Sequence, residues 1–120
     1  MKIALFSDVH ANLPAFEKAL ESIDQQKPDA IYCLGDLVGY HIFPNEVICE
    51  IRKRKIATIA GNHDAKVKKL TEQQLAETEK NYAYSIIGQE EKKYLATLPV
   101  QNQVEYERVG LPNTFFPLVQ

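Results

Sequence analysis

The chain has 120 residues, 45% of them hydrophobic and 25% charged, with a formal net charge of −2. That size and composition fit one small globular domain, and the charge gives no electrostatic case for a nucleic-acid or membrane-surface partner. No segment approaches the roughly 20 apolar residues that cross a bilayer, and "MKIALF" is too short for a signal-peptide core before Ser7 and Asp8 interrupt it, so the expected location is the cytoplasm.

In chain order, "KIALF" is an apolar run without alternation, as expected of a strand buried on both faces of a parallel sheet. "LPAFEKALESIDQQ" follows, with Phe16, Leu20 and Ile23 at helical spacing and Pro14 in a first turn. "AIYCL" reads as a second buried strand, ending at Gly35 and Asp36. "FPNEVICEIRKRK" reads as a second helix, with Pro44 near its start and Val47, Ile48 and Ile51 facing inward. Its basic run, Arg52 to Lys55, reads as a solvated helix end where cations complement the helix dipole. "IATIA" is a third strand, ending at Gly61 and Asn62.

Beyond Asp64 the pattern is more polar. "AKVKKLTEQQLAETEKNYAYSII" predicts a helix with Leu70, Leu75, Tyr82 and Ile86 inward and Gly88 at its end. "QEEKKYLATL" predicts one more helix, and "NQVEYERV" alternates well enough for a strand. The closing "GLPNTFFPLVQ" has no period. Cys33 and Cys49 have neither zinc-ligand nor redox spacing and read as buried free thiols of a reducing compartment.

Strand, helix, strand, helix, strand with short connections predicts an α/β fold with a parallel sheet. Ligands of such sheets sit beyond the carboxyl ends of the strands. All three polar clusters, "SDVH", "GD" and "GNHD", fall there. In an extended segment Asp8 and His10 point the same way while Val9 faces inward, so the two can share a ligand. Asp36 can bridge two ions with its two oxygens, and Asn62 can offer an amide oxygen. Carboxylate, imidazole and amide donors suit manganese, iron or zinc. Two such ions roughly 4 Å apart polarise a phosphoryl group and activate a bridging water. His63 can contact a phosphate oxygen or protonate a leaving alkoxide. His41, in "GYHIF", has no equivalent partner and reads as a surface loop position.

The blocks "DVHAN", "GDLVGY…PNE" and "GNHD" resemble the opening motifs of the calcineurin-like metallophosphoesterases, especially the small bacterial phosphodiesterase branch. The resemblance is strongest from Met1 to Asp64 and extends to Glu107, which divides the chain into residues 1–107, an N-terminal part of that domain, and an irregular tail, 108–120. It implies a layered metallophosphoesterase-like sheet with flanking helices, incomplete at its C-terminal end, and hydrolysis of phosphate mono- or diesters. By motif, Asp8 and His10 match ligands of a first metal, Asp36 the bridging carboxylate and Asn62 a ligand of a second. His63 matches the catalytic histidine, and Asp64 an acidic partner able to orient that imidazole. The implied cofactors are two divalent ions, whether manganese, iron, zinc or nickel.

The sequence departs from the family pattern in several places. Ala11 stands where glycine is common, and "GYHIFP" replaces the usual "GYGPxP". The family's later histidine motifs have no counterpart, because the chain holds only His10, His41 and His63. The expectation is therefore a metal-dependent phosphoesterase that is weak or inactive for want of those ligands. The alternative is a non-enzymatic remnant or regulatory module with a partial metal or phosphate site. A sheet short of strands would leave an edge open to pairing, which predicts a homo-oligomer.

Overall fold

The computed structural model describes residues 1–67, 69 and 82–100, together with the backbone of Asn102–Gln103 and Thr114–Phe115. Its sheet has three parallel strands, β1 (Ile3–Phe6), β2 (Ala30–Cys33) and β3 (Ala57–Thr58), in the spatial order β1-β2-β3. β1 pairs with β2 from Ile3–Ala30 to Phe6–Cys33, and β2 with β3 at Tyr32–Ala57 and Cys33–Thr58. The third strand is shorter than "IATIA" predicts. Ile59 still donates to the Cys33 carbonyl at 3.1 Å, but the next amide, Ala60, turns to the Pro99 carbonyl at 2.7 Å. β1 also departs from expectation, since it is not buried evenly on both faces. Phe6 packs against Phe16, with ring centroids 5.6 Å apart, whereas Leu5 on the other face is 58% exposed.

Helix α1 (Leu13–Gln26) spans the predicted residues, and the Asn12 side chain caps it by accepting from the Ala15 amide at 3.3 Å. Phe16 and Leu20 are its buried residues. In α2 (Pro44–Lys53), Val47, Ile48 and Ile51 are fully buried, as their spacing predicts. One reading on α2 is corrected, while the basic run Arg52 to Lys55 is exposed at the helix end, as predicted. Cys49 is exposed, because it stands nearly opposite that inward stripe on the helix, while Cys33 in the central strand is buried. Arg54, in the basic run, is an interhelical tie. It bonds Glu50 at 2.9 Å and forks onto Asp24 of α1 at 3.0 and 3.1 Å.

The remaining elements are α3 (Asn62–Val67), α4 (Tyr82–Ser85), α5 (Gln89–Thr97) and an antiparallel pair, β4 (Asn102–Gln103) with β5 (Thr114–Phe115). Leu70 and Leu75 lie outside the described residues, as does most of the tail beyond residue 107. The inward phase of the "NYAYSII" stretch differs from the one predicted. Tyr84 and Ile87 enter the core, and Tyr82 is 56% exposed. Gly88 heads α5 rather than ending the helix before it. The core gathers Leu37 and Val38 from the loop after β2, Ile48 and Ile51 from α2, Tyr84 from α4 and Leu95 from α5. Among the described residues, no helix is long and apolar enough to cross a membrane.

Candidate metal centre

The loop leaving β1 zips onto the loop leaving β2. Asp8 donates its amide to the Gly35 carbonyl (3.1 Å), His10 to Asp36 (2.9 Å) and Ala11 to Leu37 (2.7 Å). Asp8, His10, Ala11 and Asp36 all hold left-handed backbone, with φ of 59°, 47°, 57° and 59°. Asp8 and His10 therefore meet because the chain folds tightly, and not because an extended strand alternates. Left-handed backbone costs a non-glycine residue about 1–2 kcal/mol, and such residues cluster at functional sites. Val9 packs against the core, as predicted. The β2 and β3 exits can approach because Gly35 has φ +100°, where a Cβ would collide with the Gly61 backbone.

Ligand atoms of Asp8, His10 and Asp36 lie within 4.8 Å of one another. His10 Nδ1 is 2.9 Å from the Val38 carbonyl, which can only accept, so that nitrogen carries the proton. Nε2, 3.8 Å from Asp8 Oδ1, keeps its lone pair for a cation, the arrangement of a metal-ligating histidine. Asp36 is buried, and burial first, then its neighbouring carboxylate, hold the Asp8 carboxyl above the usual range. Two crowded carboxylates beside a tautomer-fixed imidazole fit a divalent first-row cation.

Asn62 begins α3 with its amide against Asp36. With the nitrogen turned that way, it donates to Oδ2 at 3.1 Å and to Oδ1 at 3.2 Å. With the oxygen turned that way, two acceptors face each other and a cation would reconcile them. The structure thus brings together all four residues proposed from sequence as ligands.

His63 donates its backbone N–H to Asp36 Oδ1 at 3.0 Å, and its ring lies 4.8 Å from that of His10. Burial lowers its pKa, with the Asp36 charge opposing. Asp64 does not orient this imidazole. Fully buried, its carboxylate accepts from the amides of Asp36 (2.7 Å), Leu37 (2.9 Å) and Gly61 (3.0 Å), tying the β2 and β3 exits together. Burial pushes it up to about 6 against those three donors. The partner of the His63 ring is Tyr84, whose Oη is 2.7 Å from Nδ1. Sequence reading missed Tyr84, although the three-residue step from Tyr84 to Ile87 was a helical signal for it. His41 is exposed, at the rim of a cleft of about 370 Å³ that Tyr40, His63, Lys66 and Tyr84 also line.

Residues 1–116 match the sequence model of a family described as calcineurin-like phosphoesterase. An uncharacterized protein of Methanocaldococcus jannaschii is 44% identical over 62 residues, which are 52% of this chain and 26% of that protein. A metallophosphoesterase from Sphaerobacter thermophilus superposes with a TM-score of 0.70 at 34% identity, over 84% of this chain and 42% of the other. A hypothetical protein from Pyrococcus horikoshii shares the fold, with a TM-score of 0.69 at 24% identity over 86% of this chain and 50% of its own. The chain therefore spans no more than half of any of these three proteins.

Proposed function

This chain belongs to the calcineurin-like phosphoesterase family, and from that premise we propose that it supplies one half of a dinuclear metal site hydrolysing phosphate mono- or diesters. The observation that most supports the reading is the convergence of Asp8, His10 and Asp36 within 4.8 Å. Asp8, His10 and Asp36 would hold a first cation, and Asp36 and the Asn62 amide oxygen a second. Bound there, the ions supply Lewis acidity toward the phosphoryl oxygen and a water of lowered pKa. His63 directs its ring N–H to a phosphoryl or leaving-group oxygen. Asp64 holds the two strand exits in register, so that Asp36 and Asn62 face one another. The two free thiols fit a reducing, cytoplasmic setting.

The test is hydrolysis of bis(4-nitrophenyl) phosphate with added manganese, and then with iron, zinc or nickel. Turnover should fall by about 100-fold or more in Asp36→Asn and in His63→Ala. A wild-type rate equal to that of either variant would contradict the proposal. The second reading is a regulatory module with a partial metal or phosphate site. Saturable metal binding without turnover would select it.

A further inference from the structure

We propose that Tyr84 is a positioning residue for His63: its hydroxyl donates to Nδ1 and holds the imidazole in the tautomer that carries its proton on Nε2. The inference rests on the reading of His63 as the residue whose ring N–H faces the leaving-group oxygen. Its geometric basis is separate from the metal ligands.

Tyr84 Oη lies 2.7 Å from Nδ1, the Tyr84 residue is only 4% exposed, and the two rings are within 7° of parallel. Among the described residues the hydroxyl has no other hydrogen-bond partner. If Nδ1 carried the proton, the phenolic hydrogen would have no acceptor among the described residues, and the burial of Tyr84 disfavours that arrangement. With Oη as donor, Nδ1 accepts and the Nε2–H is left to donate a hydrogen bond to a substrate or leaving-group oxygen.

The surroundings are shaped around this contact. Gly39 has φ +92°, and a Cβ there would stand 3.0 Å from His63 Nδ1 and 3.2 Å from Tyr84 Oη. A side chain on residue 39 would push into the pair. Lys66, one turn along α3 from His63, sets its ammonium 5.1 Å from the Tyr84 ring centroid. Asn45 of α2 fastens the turn after α4, donating to the Ile86 carbonyl at 2.9 Å and accepting from the Gly88 amide at 2.8 Å. The phenol is thus held from the backbone as well as through its ring.

The test is a long-range ¹H–¹⁵N correlation spectrum of the metal-free, ¹⁵N-labelled full chain, with the His63 signals assigned by comparison with His63→Ala. The wild-type ring should be protonated on Nε2, and Tyr84→Phe, which keeps the ring but removes the hydroxyl, should shift it toward a tautomer mixture. A wild-type ring protonated on Nδ1 would overturn the proposal even if the variant failed to fold. An unchanged His63 spectrum in folded Tyr84→Phe would overturn it too. With manganese and an aryl phosphodiester, the same variant should lose about 10- to 100-fold in kcat with little change in KM. A tautomer that responds to Tyr84→Phe in a protein without turnover would support the positioning role and remove the phosphoesterase reading.

Discussion

Asp64 shows how much one buried side chain can organise. Its carboxylate takes three backbone amides from two loops, and an asparagine there would offer one acceptor oxygen. Asp64→Asn should therefore cost about 1–3 kcal/mol by leaving buried N–H groups unpaired, measured by urea denaturation at pH 7. The pH dependence has a definite sign. A carboxyl raised to about 6 when folded contributes stability that is fully present below its unfolded value and is lost as pH rises through 6. The stability gap between wild type and Asp64→Asn should widen from pH 7 to pH 5; a gap that narrows would contradict the assignment. The cysteines make a second residue-level prediction. Burial pushes the Cys33 thiol up to about 12, whereas Cys49 is exposed. A disulfide reagent at pH 8 should titrate one thiol quickly in the native protein and both in denaturant. The residues proposed as ligands stand out in the sequence because each is a chemically distinctive residue at a strand exit. The left-handed turns that unite Asp8 and His10 do not, because neither residue advertises positive φ as a glycine would.

Among the elements, α1 and α2 could be read closely because proline position and a helical apolar stripe agree. β3 could not, since its apolar run continues past the point where Ala60 leaves the ladder for Pro99. The inward phase of α4 was also missed, because "NYAYSII" offers apolar or aromatic residues on every side. Tertiary packing chose Tyr84 and Ile87. α5 docks through Leu95, which is 1% exposed beside the residues of α2 and α4 that share its core. Leu95→Ala should lower stability by about 2–5 kcal/mol in chemical denaturation. A loss below about 1 kcal/mol would mean that α5 packs independently of this anchor.

For the whole molecule, the edge of the sheet matters as much as the site. Among the described strands β1 pairs only with β2, and its Leu5 is 58% exposed. An open strand edge beside an exposed apolar side chain invites pairing with a second chain. Sedimentation velocity at micromolar concentration should show a dimer or larger assembly that dissociates in Leu5→Lys; a stable wild-type monomer would count against it. Family membership and the parallel sheet were legible from three ordered motifs at successive strand ends.

Thermal unfolding of the metal-free chain with and without manganese tests most directly whether Asp8, His10, Asp36 and Asn62 form one cation pocket. At 100 times the dissociation constant the ligand adds about 2.7 kcal/mol, a rise in Tm of more than about 5 °C for a domain of this size. Wild type should show that rise, and His10→Ala and Asp36→Asn should lose most of it. A wild-type Tm unmoved by manganese, zinc or nickel, or an equal rise in both variants, would contradict the pocket.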